Sequence, residues 1–214
     1  SKEVSGRKVE LDEVIEPSLE LESSAAQKDV PVVCDPTLLF TAEEWNSHIP
    51  QKRIVQEPYI LCYFLGNNPT HRTWAKQLSK KTGLKIVQLP HLDEYVKKDE
   101  GFADYPLYDI DPFDFVSLIR DADYVLTDSF HCTVFSTLFQ KQFNTFRRYS
   151  SDGTVSTNGR LYSLLKSFGL SHRMLSGNES LENSASKIDF PAVLSKVEQM
   201  RKESTELLIA AVTA

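Results

Sequence analysis

Cysteine is scarce: the 214-residue chain holds three, Cys34, Cys62 and Cys132. They lie far apart, with no Cys-x-x-Cys pair and no His/Cys group at zinc spacing, so neither a metal site nor a disulfide framework is expected. Such usage points to a reducing compartment, and a cytoplasmic protein is the expectation. An excess of basic charge is also lacking. Lys and Arg number 24 against 30 Asp and Glu, a net charge of -6. Nucleic-acid binding needs clustered cations, so no nucleic-acid partner is expected. No apolar stretch reaches the ~20 residues of a membrane span. No signal peptide opens the chain. Ser1 is not an initiator Met, so the chain reads as a fragment. There is no internal repeat and no low-complexity tract. The Walker loop, the Gly-x-Gly-x-x-Gly fingerprint and the Gly-x-Ser-x-Gly elbow are all absent, which disfavours P-loop hydrolysis, nicotinamide chemistry and esterase chemistry.

What remains is the composition of a soluble globular domain, 41% hydrophobic and 25% charged, long enough for a sizeable core. Residues 1–29 are charged and weakly patterned and read as a lead-in. The patterned domain covers 30–214. Val30 to Cys34 is an apolar run, read as a strand stopped by the turn Asp35-Pro36-Thr37. Thr41 to Trp45 has the capping-box pattern of a helix start. Tyr59 to Leu65 reads as a buried strand closed by Gly66-Asn67-Asn68-Pro69. A helix follows over 70–82, with Gly83 as its C-cap. Strand 84–89 and a long polar loop over 91–106 come next, then a helix over 113–120. A strand at 124–127 leads into a helix over 131–140. A strand over 142–146 and helices over 161–168 and 190–212 complete the pattern. Alternation of strand and helix is the signature of an α/β, Rossmann-like doubly wound parallel sheet. Cys34 and Cys62 read as core residues.

Ligands bind such sheets at the carboxyl ends of the strands. The turn after Thr127 is the richest of these, with Asp128, Ser129 and His131 beside a helix N-terminus. Helix amides there favour phosphate or carboxylate, and a histidine can bind an anion and move a proton. The plain alternative is an N-cap with a packing histidine. Arg147 and Arg148 follow the next strand, and Arg160 follows Asn158-Gly159 at a helix start. Arginine takes phosphate and carboxylate bidentately, although its charge is unfavourable at a helix N-terminus and needs another reason there. The turn Asp35-Pro36-Thr37 reads as a structural Asx-turn. His48, His71, His91 and His172 read as surface or packing residues.

Several blocks resemble the polysaccharide pyruvyl transferase family. They are Val32 to Leu39 with Glu44-Trp45, Tyr63 to Asn67, Asp111 to Phe115, Ala122 to His131 with Val134 to Ser136, and Asn158-Gly159-Arg160. The resemblance implies the second half of a two-domain glycosyltransferase-B-type fold. Residues 1–29 would then be the tail of a missing amino-terminal domain, and 30–214 the donor-binding domain. The implied reaction moves pyruvyl from phosphoenolpyruvate to sugar hydroxyls of a cell-surface polysaccharide or its precursor, as a ketal. The implied partners are phosphoenolpyruvate and a sugar or lipid-linked glycan acceptor, with no further cofactor and no metal. Homo-oligomerisation stays open. The resemblance makes His131 the catalytic candidate, with Ser129, Phe130, Arg147, Arg148, Asn158 and Arg160 as substrate-binding candidates. Cys132 stands where the family usually has Gly, and its side chain is expected to narrow the approach to the ligand. Two alternatives remain. One is a nucleotide-sugar glycosyltransferase with Tyr63, Phe64 and Phe130 as a base slot. The other is a non-catalytic remnant of the fold.

Overall fold

A computed structural model describes residues 32–90, 95–148, 158–184 and 186–213. The expectations for residues 1–29 fall outside them. The chain divides into two units, Ser1–Val32 and Val33–Ala214, and the sheet with its helices belongs to the second.

The described residues form one sheet of six strands, all pairing parallel, in the order β3-β2-β1-β4-β5-β6. The strands are β1 (Tyr59–Tyr63), β2 (Lys85–Gln88), β3 (Tyr105–Pro106), β4 (Tyr124–Thr127), β5 (Gln142–Phe146) and β6 (Met174–Leu175). The helices are α1 (Ala42–His48), α2 (Pro69–Thr82), α3 (Pro112–Asp121), α4 (Phe130–Leu138), α5 (Asn158–Phe168), α6 (Leu181–Ser184) and α7 (Phe190–Thr213). This is the doubly wound α/β sheet that the alternating pattern predicts. The chain order reverses between β1 and β4, and an open sheet of this kind presents its ligand crevice at that point, outside the carboxyl ends.

Strand residues alternate between two separate cores. Tyr59, Leu61, Val87, Val125 and Phe143 face one, together with Leu118, Leu138 and Leu165 of the helices. Ile60, Cys62, Ile86, Leu126 and Phe146 face the other, with Trp74 and Leu78 of α2. The period of two along each strand therefore fills both faces, which is why these strands read as continuous apolar runs.

Local signals act where expected. Thr41 Oγ1 accepts from Glu44 N at 3.2 Å and Glu44 Oε2 accepts from Thr41 N at 2.7 Å, closing the capping box of α1. Gly83 ends α2 with φ 76°, a left-handed turn that costs glycine nothing.

Four expectations are corrected. Residues 32–35 carry no regular structure; Val32 and Val33 are exposed, and Cys34 is half-buried against the core rather than within it. The polar loop after β2 contains β3, a two-residue edge strand too short to show a period. Helix α5 starts at Asn158 rather than Leu161. Strand β6 had no sequence signal for the same reason as β3.

Candidate functional site

The turns after β1 and β4 meet across the reversal point. Asp128 joins them: its Oδ1 accepts from Leu65 N at 2.6 Å and its Oδ2 from Gly66 N at 2.9 Å. Asp128 has no solvent exposure. Burial pushes its carboxyl above the ordinary range, against the pull of the Leu65 and Gly66 amides and of Arg148 and Arg72. Arg148 closes the layer from β5, with Nη2 donating to Asp128 O at 3.0 Å. Asn158 Oδ1 accepts from Arg148 N at 3.0 Å. Gly66 is required by this packing, because a Cβ there would lie 2.9 Å from Arg148 Cγ and 3.0 Å from Asp128 Oδ2. Arg72 of α2 supports the same turn, donating to Gly66 O and Asn68 O while pairing with Asp99.

Above this layer lies the start of α4. Ser129 caps it, accepting from Cys132 N at 3.5 Å, and is almost fully buried. The first backbone bond of the helix runs from Thr133 N to Ser129 O, so the amides of Phe130 and His131 lie ahead of the helical ladder. His131 is about half exposed, with Nε2 3.6 Å from Asp35 Oδ2. The Arg160 guanidinium sits over the Phe130 ring, 4.5 Å from its centroid, a cation–π arrangement.

Asp35 is held on a short 3-10 turn, Pro36–Leu38. Its Oδ1 accepts from Thr37 N at 3.0 Å and from Thr37 Oγ1 at 2.6 Å. The turn is fastened from outside. Trp45 Nε1 donates to Thr37 O, Arg201 Nε to Leu38 O, and Cys34 N to Ser204 Oγ. Partial burial pushes the Asp35 carboxyl up. The Thr37 bonds and the charges of His131 and Arg160 outweigh it, leaving the carboxyl below its ordinary 3.8. Arg160 thus finds around Asp35 and Phe130 the compensation that a helix N-terminus denies it.

The predicted site residues therefore separate. Phe130, His131 and Arg160 come together at the carboxyl edge of the sheet. Ser129, Arg148 and Asn158 form the supporting layer, their polar groups engaged in holding turns. Arg147 leaves this group: its guanidinium lies over the Tyr162 ring at 5.4 Å and its amide donates to Leu175 O. Asp35 was missed as a site residue because an Asx-turn accounts for its pattern. The signal was its place in the first family-like block. Cys132 does not narrow the ligand side. It is fully buried in the core, where the loss of water pushes its thiol up to about 12. The proposed base slot is not assembled either. Tyr63 packs on Phe115 at one face of the sheet, and Phe64 is buried in the opposite core. Among the described residues no helix is long and apolar enough to cross a membrane.

Residues 16–149 match the sequence profile of the polysaccharide pyruvyl transferases. No curated protein matches the chain. Among solved structures, similarity extends to the UDP-GlcNAc 2-epimerase from Neisseria meningitidis bound to UDP-GlcNAc, at 16% identity and a TM-score of 0.38, over 88% of this chain and 52% of that one. It extends also to the glycosyltransferase SnogD from Streptomyces nogalater, at 12% identity and a TM-score of 0.38, over 87% of this chain and 48% of that one. The chain thus spans about half the length of these two proteins.

Proposed function

Because this chain belongs to the polysaccharide pyruvyl transferase family, we propose that it is the donor-binding half of a two-domain enzyme that transfers pyruvyl from phosphoenolpyruvate to two hydroxyls of a sugar. The observation that carries this reading is the grouping of His131 and Arg160 at the start of α4, beside the β1/β4 reversal. Phosphoenolpyruvate carries a phosphate and a carboxylate. Arg160 offers a planar fork for one of them, and the amides at the head of α4 offer partial positive charge for the other.

In this scheme the enol CH2 takes a proton and becomes CH3. The two sugar hydroxyls add to the enol carbon, and its bond to the phosphate oxygen breaks. Of the two hydroxyl protons, one balances the new methyl group and the other leaves with phosphate. His131 is the group suited to deliver the proton or to bind the departing phosphate. The remaining proposals are a cytoplasmic site of action and a glycan or lipid-linked glycan acceptor.

Titration calorimetry tests the reading. Phosphoenolpyruvate should bind, and nucleotide sugars should not. Binding of nucleotide sugars alone would transfer the chain to the glycosyltransferase alternative. The non-catalytic alternative rests on Cys132 and on the implied missing half; burial of Cys132 in the core supports the catalytic reading on the first of these.

A further inference from the structure

We infer that Asp35 is a positioning residue, whose outward carboxylate oxygen holds the His131 imidazole in its working orientation. The inference rests on the donor-binding reading above and adds a residue to it. Its basis is the division of labour between the two oxygens of one carboxylate. Oδ1 is saturated by Thr37, taking both its amide and its hydroxyl. Oδ2 is the atom turned to His131, 3.6 Å from Nε2. An Asx-turn needs one oxygen only. The second is left over for the site.

The mounting is shielded and fastened at several points, whereas the histidine stands half in solvent. The Asp35 side chain is 14% exposed against 54% for His131. The turn that carries Asp35 is tied to α1 by Trp45 and to α7 by Arg201 and Ser204. His131 sits in the first turn of α4, with the Phe130 ring edge-on at 5.4 Å as its neighbour on the helix side. A half-exposed imidazole on a helix end rotates freely unless something fixes it. Among the described residues the Asp35 carboxylate faces it, and a separation of 3.6 Å is an ion-pair distance rather than a hydrogen bond. That gap lets the ring tighten onto Oδ2 or shift toward a ligand without breaking a committed bond. Catalytic contacts of this kind are commonly loose until substrate closes them.

Two variants separate the site role from the turn role. Asp35→Asn keeps a side-chain oxygen for Thr37, since Asn caps as well as Asp, and removes the charge facing His131. Thr37→Ala keeps the charge and weakens the turn. In the intact protein, Asp35→Asn should lower kcat by about 10- to 100-fold, the usual cost of misplacing a reacting group, with little change in KM for phosphoenolpyruvate. Thr37→Ala should lower the melting temperature and leave kcat nearly unaltered. A kcat for Asp35→Asn within about twofold of wild type, or equal losses of kcat in both variants, would overturn the inference. A second measurement stands apart from turnover. In the ligand-free chain, the His131 ring resonances should report one orientation in the wild type and rotational averaging in Asp35→Asn. Unchanged resonances overturn the positioning role, while absence of phosphoenolpyruvate binding to the wild type overturns the donor-binding reading instead.

Discussion

Oδ2 of Asp35 and Nε2 of His131 face each other at 3.6 Å, although 96 positions separate them in the sequence. One stands on a short turn ahead of the sheet and the other on the first turn of α4. The pair makes the predicted site specific enough to test residue by residue.

On the proposed reading, His131→Ala in the full-length parent should remove pyruvyl transfer without unfolding the protein. The side chain is about half exposed, so its removal leaves no cavity. The loss expected for a general acid is about 10²- to 10⁴-fold in kcat. Circular dichroism and a turnover assay check it, and retained turnover refutes the catalytic role.

Arg160→Ala should weaken phosphoenolpyruvate binding by about 10- to 100-fold, the worth of one charged hydrogen-bonding partner. Arg160→Lys should recover only part of that, since an ammonium lacks the bidentate fork and stacks less well on Phe130. Calorimetry at two salt concentrations reads both effects.

Asp128→Ala should cost stability rather than chemistry. It strips the Leu65 and Gly66 amides of their acceptor and removes the carboxylate that faces Arg148. Leaving partly shielded groups of this kind without their partner costs about 1–3 kcal/mol. Gly66→Ala should act through the same layer, by forcing Arg148 Cγ from 2.9 Å, at about 1–3 kcal/mol. Urea unfolding of the two single variants and the double variant should show losses that do not add, because both disturb one contact set.

Acid should expose the Asp35 pairing. The native carboxyl is held below its ordinary 3.8. A depressed acid stabilises the fold fully above its unfolded value and loses that contribution as pH falls through the native value. The stability advantage of the wild type over Asp35→Asn should therefore shrink as pH drops below about 4. Urea titrations across that range measure it; a constant difference would show that Asp35 makes no charge-dependent contribution.

The sequence by itself determined the class of sheet, the position of most elements and the strand-to-helix junction at Asp128 to His131. Those features are local. Apolar runs, capping residues and turn glycines act within a few positions of one another, so their pattern survives in one dimension. Helices α1 and α2 show this most plainly, each starting at its cap and α2 ending at Gly83. Tertiary structure alone decided which charges meet. Arg147 and Arg148 are neighbours in sequence, yet one lies over Tyr162 and the other locks Asp128, because successive residues leaving a strand point to opposite faces. Asp35 reads as a turn residue in sequence, and its second oxygen acquires a partner only when α4 is laid against the preceding turn. Cys132 likewise lies inside the core because α4 turns that side toward the sheet. Long-range pairings of this kind follow from packing, and no spacing along the chain records them.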